Sequence, residues 1–180
     1  MDTALLVLDI QKDFIGEQAR MSVEKHQIEP MLEKVNTIIN QFNSQGIPVV
    51  YIGNEFEPHQ WVVNFFGKNA AKKGSQGAEL DERLLIVNDL YFPKNKANAL
   101  SNDELVSYLN ANSVKQIVIV GLFTEGCVMA TALGCRNKKF TVTVVSDAVA
   151  SLNDKKRIKA LNALRSKGVN ITDSTQLFEM

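Results

Sequence analysis

The sequence predicts a three-layer α/β/α sandwich built on a doubly wound, mainly parallel, six-stranded sheet. Short apolar segments alternate along the chain with amphipathic helical segments, and strands joined through helices run parallel by right-handed crossovers. The apolar segments are nearly continuous rather than alternating, which is typical of strands buried on both faces. We therefore expect strands at residues 4–10, 47–52, 84–87, 115–120, 140–145 and 169–172.

Four helices are predicted from their apolar spacing and from the residues that begin and end helices. Pro30 begins the first helix, whose apolar residues recur on one face until Gly46 ends it in a left-handed cap. Ser101 and Glu104 form a capping box that begins the second helix. Two further helices are expected at residues 127–138 and 153–167, the latter with Ile158, Leu161 and Leu164 facing inward.

One domain accounts for residues 1–180, with a single interruption of the alternating pattern at about residues 54–83. This segment contains three clustered aromatic residues, Trp61, Phe65 and Phe66. A structureless loop of such length is uncommon in a compact domain. We therefore expect a short helical insertion that covers the functional site or forms a subunit contact.

The composition excludes several classes of partner. Lys and Arg together number 20, as do Asp and Glu, so no overall field attracts nucleic acid. No apolar segment reaches the roughly 20 residues of a membrane span, and Met1-Asp2-Thr3 enters the first strand without a secretory leader. Cys127 and Cys135 lie about 12 Å apart along one predicted helix, too far for a disulfide. The sequence therefore predicts a cytoplasmic protein with reduced thiols.

Three reactive side chains follow predicted strands: Asp9 after the first, Lys94 after the third and Cys127 after the fourth. Ligands bind beyond the carboxyl ends of parallel strands in sheets of this type. Each residue taken alone has an ordinary explanation, as a turn former, a solvated lysine or a small core residue. Their convergence on one edge of the sheet instead indicates a candidate site.

Cys127 is the candidate nucleophile of this site. It is predicted to begin a helix after Gly126, where the positive end of the helix dipole favours a thiolate. Free backbone N–H groups in the same turn are suited to holding an oxyanion. Cys135, farther along the same helix, is expected to be an inert core residue.

Motifs for several other chemistries are missing from the sequence. The first strand is not followed by the glycine-rich turn of a dinucleotide site. His26 and His59 are isolated and lack the spacing of a zinc site, so we expect neither a metal nor a cofactor. A phosphoryl-transfer enzyme with Asp9 as nucleophile is disfavoured, because Gln11 stands where such a site needs a second carboxylate.

Five ordered motifs together point to a known family. The most specific of them is Gly121-Leu122-Phe123-Thr124-Glu125-Gly126-Cys127-Val128, followed by Thr131-Ala132. The other four are Leu8-Asp9-Ile10-Gln11 with Asp13-Phe14, Gly77-Ala78-Glu79-Leu80-Asp81, Lys94-Asn95-Lys96 with Ala99-Leu100, and Ser146-Asp147-Ala148. On these motifs the chain resembles the isochorismatase-like hydrolases over essentially its full length.

The resemblance implies a cysteine hydrolase of the amidohydrolase branch, with a catalytic triad of Asp9, Lys94 and Cys127. Lys94 and the helix start are expected to lower the pKa of the thiol, while Asp9 accepts its proton. The resemblance also implies a non-proline cis peptide between Phe123 and Thr124. The residues that shape the oxyanion site would be Phe123, Thr124 and Gly126.

Two departures from the family pattern narrow the activity. Family members that act on nicotinamide carry an Asp-x-His metal site after the second strand, whereas this chain has Gly53-Asn54-Glu55-Phe56 there. Bound zinc and nicotinamidase activity are therefore not expected. Members that act on isochorismate tend to lack the cysteine, so Cys127 favours hydrolysis of a C–N bond in an amide, carbamoyl or ureido group.

The expected partner is a small-molecule substrate, and aromatic side chains are the candidates for its pocket. These are Phe14, Trp61, Tyr91 and Phe123, although large aromatic residues are also ordinary core residues. The resemblance and the apolar insertion favour a homo-oligomer, either a dimer or a tetramer. Two alternatives stay open on the same fold: a redox-active thiol protein and a non-catalytic binding module.

Overall fold

A six-stranded parallel sheet forms the centre of the protein, whose computed structural model describes residues 2–60 and 68–179. Its strands are β1 (Thr3–Leu8), β2 (Val49–Asn54), β3 (Tyr91–Lys94), β4 (Gln116–Leu122), β5 (Thr141–Ala150) and β6 (Asn170–Thr172). They are ordered β3-β2-β1-β4-β5-β6, and every pairing is parallel. The order reverses between β1 and β4, as in doubly wound sheets. The predicted fold class is confirmed.

Helices cover both faces of this sheet. On one face lie α1 (Lys12–Ile15) and α2 (Lys25–Ser44), and on the other α3 (Asp103–Ala111), α4 (Met129–Asn137) and α5 (Asp154–Ser166). Successive residues of β1 enter the two cores alternately, with Leu5 and Val7 in one core and Leu6 and Leu8 in the other. Burial on both faces explains why the strand is continuously apolar. Among the helices that the structure describes, none has the length and apolar character to cross a membrane.

The third strand lies at Tyr91–Lys94, so the prediction of a strand at residues 84–87 is wrong. Leu85 and Ile86 are 37% and 49% exposed. Side chains hold the main chain of Leu85 in place, because its N–H donates to Asn36 Oδ1 at 2.8 Å and its carbonyl accepts from Tyr51 at 2.9 Å. β3 is an edge strand, and edge strands tolerate a proline such as Pro93.

The long helix α2 begins at Lys25, five residues before the predicted start at Pro30. Tertiary contacts explain the earlier start. Gln27 is buried, accepts from the N–H of Ser151 at 3.0 Å and donates to Asp154 at 2.9 Å. The predicted left-handed end at Gly46 is confirmed by its φ of +69°.

Two details of the later helices differ from the prediction. Asn102, rather than Ser101, caps α3, because its side-chain oxygen accepts from the N–H of Glu104 at 2.8 Å. Ile158 does not face inward in α5, since it is 56% exposed. The buried residues of α5 are Ala160 and Leu164.

The insertion predicted at about residues 54–83 is described in part, since residues 61–67 lie outside the described residues. The described part contains a short 3-10 turn at Gln76–Ala78 and a bridge between Phe56 and Lys72. The carboxylate of Asp13 in α1 anchors it by accepting from the N–H of Ala71 at 2.8 Å. The predicted helix and its covering role rest on residues that include Trp61, Phe65 and Phe66, and these stay predictions.

Gly121 permits the close approach of β4 to β1. It has a φ of +109°, and a Cβ atom there would collide with the main chain of Leu8. We expect Gly121→Ala to lower the free energy of unfolding by about 3 kcal/mol or more, measured by urea denaturation. Gly46→Ala is the matched control, because Gly46 also has positive φ but no atom within 4 Å of the added Cβ, and its expected loss is about 1 kcal/mol. Equal losses would contradict the role of close packing.

Candidate active site

The three predicted reactive side chains meet at the carboxyl edge of the sheet. Asp9 follows β1, Lys94 is the last residue of β3, and Cys127 lies in the turn after β4. Lys94 Nζ lies 3.0 Å from Asp9 Oδ2 and 3.2 Å from Cys127 Sγ. Asp9 is fully buried and Lys94 is 4% exposed, whereas Cys127 is partly exposed. An acid, an amine and a thiol are therefore in direct contact, and solvent reaches the thiol.

Asn54, which sequence reasoning missed, joins the same cluster from the end of β2. Its Oδ1 accepts from Lys94 Nζ at 2.6 Å, and its Nδ2 lies 3.8 Å from Cys127 Sγ. Gln11 holds the backbone of Asn54 in place. The Gln11 side chain accepts from the N–H of Asn54 at 2.8 Å and donates to the carbonyl of Asn54 at 2.9 Å. One feature of the sequence could have identified Asn54. A polar residue that ends a buried strand lies at the carboxyl edge of the sheet, where the triad lies. Within the described residues, no group of three His, Cys, Asp or Glu side chains is arranged to hold a metal ion.

The backbone of Asp9 turns sharply at the end of β1. Its φ is +57°, a left-handed conformation that Asp adopts more readily than most residues. Its N–H continues the sheet by donating to the carbonyl of Ile52 at 2.8 Å. Neither carboxylate oxygen has an aligned hydrogen bond among the described residues, so its contact with Lys94 is ionic. The carboxylate therefore retains the capacity to accept a proton.

Burial governs the protonation of the cluster. It raises the pKa of Asp9, against the attraction of Lys94. Burial alone lowers the pKa of Lys94, but the neighbouring charges of Asp9 and Cys127 outweigh it and raise that pKa. Burial first, and then the charge of Asp9, raise the pKa of Cys127 to about 12, although Lys94 opposes them. The expected lowering of the thiol pKa is therefore wrong, because burial and the adjacent Asp9 together outweigh the attraction of Lys94.

The prediction that Cys127 begins a helix after Gly126 is confirmed. Within the segment Thr124–Val128 the backbone is non-helical at Gly126, and from Cys127 onward it is helical and continues into α4. The helix start is therefore present, but burial and the adjacent carboxylate dominate the pKa of the thiol.

The segment from Leu122 to Val128 differs from the prediction in two respects. The non-proline cis peptide joins Leu122 to Phe123, so its predicted position between Phe123 and Thr124 is wrong by one bond. The N–H of Gly126 donates to the carbonyl of Phe123 at 2.9 Å and is therefore not free to hold an oxyanion. Thr124 anchors the turn, because its hydroxyl donates to the carbonyl of Ala150 at 2.9 Å.

Three of the four predicted pocket aromatics lie among the described residues. Phe14 and Phe123 are 1% and 7% exposed and pack edge to face, with ring centroids 5.4 Å apart, which matches the alternative of ordinary core packing. Tyr91 is partly buried and lines a cavity of about 490 Å³. Trp61 lies outside the described residues. The assignment of these four residues to a substrate pocket stays a prediction.

The fold and the motifs at the edge of the sheet are those of the isochorismatase-like hydrolases. The chain belongs to the isochorismatase family, whose isochorismatase domain model matches residues 3–176. It is 28% identical to a probable inactive nicotinamidase from Arabidopsis thaliana, over 97% of this chain and 92% of the relative.

Two solved structures share the fold. An isochorismatase-like hydrolase from Alkaliphilus metalliredigens superposes with a TM-score of 0.89 at 23% identity, covering 99% of this chain and 98% of the other. N-carbamoylsarcosine amidase from Thermoplasma acidophilum superposes with a TM-score of 0.83 at 24% identity, covering 97% of each chain. At these identities the superpositions establish the architecture alone.

Proposed function

We propose that this protein hydrolyses a C–N bond in an amide, carbamoyl or ureido group of a small molecule through a thioester on Cys127. One observation carries the proposal: Cys127 Sγ lies 3.2 Å from the ammonium of Lys94, which itself lies 3.0 Å from the buried carboxylate of Asp9. A nucleophile, a proton acceptor and a fixed positive charge are the parts that covalent amide hydrolysis requires.

The first half of the reaction forms the thioester. Asp9 takes the proton from the thiol as Sγ attacks the carbonyl carbon of the substrate, and Lys94 stabilises the developing thiolate. Backbone N–H groups of the turn that do not serve the Phe123 carbonyl hold the oxyanion. Protonated Asp9 then gives its proton to the departing nitrogen, the C–N bond breaks, and the amine or ammonia leaves.

The second half returns the enzyme to its starting state. Asp9 takes a proton from a water molecule, and the resulting hydroxide attacks the thioester carbonyl. The C–S bond breaks, the acid or carbamate leaves, and the sulfur recovers a proton from Asp9. Asn54 positions the triad throughout, because its amide contacts both Lys94 Nζ and Cys127 Sγ.

The protonated resting thiol gives this mechanism a specific pH dependence. With a pKa of about 12, Cys127 has about a thousandfold less thiolate at pH 8.5 than a free cysteine. We expect iodoacetamide to alkylate it at least tenfold more slowly than free cysteine at that pH. The value of kcat/KM should stay level from neutral to mildly alkaline pH and fall on acidification as Asp9 protonates, at a higher pH than for an ordinary carboxylate, because burial raises its pKa. Rapid alkylation at pH 7 would instead indicate a resting thiolate–ammonium pair.

A screen for ammonia release over small amides and ureides tests the proposed function. The Cys127→Ala variant serves as the blank, because it lacks the nucleophile and retains the rest of the site. Turnover by the native protein alone supports the proposal, and equal release from both proteins contradicts it.

The alternative of a redox-active thiol makes a different prediction. Oxidation by peroxide proceeds through the thiolate, and the raised pKa of Cys127 disfavours that form. Kinetic titration of the thiol with peroxide distinguishes the two functions, since a sensor reacts quickly and releases no ammonia. The cytoplasmic location and the homo-oligomeric state stay predictions.

A further inference from the structure

Glu55 lies beside the candidate active site and has no part in the mechanism above. It follows Asn54 directly, and its N–H donates to the carbonyl of Lys94 at 2.7 Å. Its carboxylate accepts from the hydroxyl of Tyr91 at 3.0 Å. Gly53 makes room for this contact, because a Cβ there would collide with the Tyr91 hydroxyl. The backbone and the side chain of Glu55 are therefore both fixed next to the triad.

Among the described residues, the carboxylate of Glu55 has no ion-pair partner of its own. Near it, Lys94 is paired with Asp9 at 3.0 Å and Lys73 with Glu57 at 2.8 Å, and Lys73 attracts Glu55 only at longer range. No basic side chain among the described residues lies within ion-pair distance of Glu55.

The undescribed segment supplies no missing cation. Residues 61–67 have the sequence Trp-Val-Val-Asn-Phe-Phe-Gly, which contains no ionisable side chain. Lys94 is already paired with Asp9, so its ammonium is not available to Glu55. The carboxylate of Glu55 is therefore an acidic group beside the triad with which no described basic side chain forms an ion pair.

Glu55 also lies on the walls of two cavities. One, of about 260 Å³, is bounded by Lys94 and by the ion pair of Lys73 and Glu57. The other, of about 490 Å³, is bounded by Tyr91 and Glu79. A small molecule in either cavity would meet the carboxylate of Glu55, and the wall of the first cavity includes Lys94, whose ammonium is itself buried.

We propose that Glu55 is a specificity-determining residue that binds a cationic amino or guanidinium group of the substrate. This inference rests on the proposed function, because it describes the group carried beside the scissile C–N bond. A carboxylate held by one neutral hydrogen bond keeps acceptor capacity for a charged N–H donor. The same charge disfavours substrates that carry a carboxylate or phosphate.

Binding to the Cys127→Ala variant tests the inference without turnover. The probes are ureas with the same butyl chain that end in an ammonium, a methyl or a carboxylate group, and calorimetry gives each Kd. We expect the ammonium probe to bind about 10- to 100-fold more tightly than the methyl probe, and the carboxylate probe most weakly. Adding Glu55→Gln should abolish the difference between the first two probes. High salt should reduce it.

Glu33→Gln is the matched control, because it makes the same change in charge at an exposed position of α2. It should leave the preference intact. Equal binding of the three probes, no binding of any probe, or a preference unaffected by Glu55→Gln would each overturn the inference. Turnover by the native protein separates the two proposals: ammonia release without charge preference overturns the role of Glu55 alone, and charge preference without ammonia release overturns the hydrolase alone.

Discussion

Cys127→Ala is expected to reduce kcat by about 10⁴-fold or more on any substrate that the native protein hydrolyses. The substitution removes the atom that forms the thioester, and Asp9 and Lys94 have no second nucleophile within contact distance among the described residues. The fold should persist, because Cys127 is partly exposed and the substitution removes only its sulfur atom. Steady-state release of ammonia, with circular dichroism to confirm folding, measures both effects.

Cys127→Ser and Cys135→Ala are the informative companions of that variant. Serine keeps the shape of the side chain but has a hydroxyl of much higher pKa than a thiol, so activity should remain close to that of Cys127→Ala. Cys135 is fully buried in the core that contains Leu6 and Leu8 of β1. Its replacement should therefore lower the free energy of unfolding and leave kcat nearly unchanged. Full activity of either Cys127 variant would refute the assignment of the nucleophile.

Lys94→Met is expected to lower the free energy of unfolding by about 3–5 kcal/mol at pH 7 and to reduce kcat by about 10³-fold or more. Methionine preserves much of the side-chain volume but leaves the fully buried Asp9 without the ammonium that lies 3.0 Å away. The thiolate that forms on Cys127 would also lose its nearest positive charge. Urea denaturation and initial rates measure the two losses separately.

The destabilisation by Lys94→Met should itself depend on pH. Without the ammonium, the pKa of Asp9 is raised further in the folded state, so that state takes up a proton more readily than the unfolded chain. The loss relative to the native protein should therefore be largest near neutral pH and shrink as the pH falls. A loss independent of pH would indicate a packing defect instead of an uncompensated charge.

The double variant Asp9→Asn/Lys94→Met separates stability from catalysis. Replacing both Asp9 and Lys94 removes the uncompensated carboxylate that Lys94→Met leaves buried. Most of the free energy of unfolding lost in Lys94→Met should therefore return. Activity should not return, because Asn cannot take a proton from Cys127. Recovery of both properties would contradict the assignment of Asp9 as the proton acceptor.

The residues of the candidate triad were predictable because of one property of parallel sheets. The carboxyl ends of all strands lie at the same edge, so residues that follow different strands come together whatever the details of the loops. Asp9, Lys94 and Cys127 were recognised in this way, even though the strand before Lys94 was misplaced. The motif around Cys127 added specificity that the strand pattern lacked.

Asn54 shows where sequence reasoning stopped. An asparagine ending a strand has many ordinary roles, and nothing local distinguishes one that contacts Lys94 and Cys127. The misplaced third strand concealed the register in which Asn54 pairs with Lys94. Leu85 and Ile86 were mistaken for a strand because exposed apolar residues on a loop have the same local pattern as a short buried strand.

The sequence by itself determined the alternation of strands and helices, the parallel sheet, the family and the three side chains that meet at the carboxyl edge of the sheet. These follow from hydrophobic periodicity and from motifs, which are properties of neighbouring residues. Only the tertiary structure decided the direction in which the pKa of Cys127 is shifted, the position of the cis peptide and the partners of Asn54. Solvation and electrostatic energies depend on every group packed around an atom, and distant segments of the chain supply those groups.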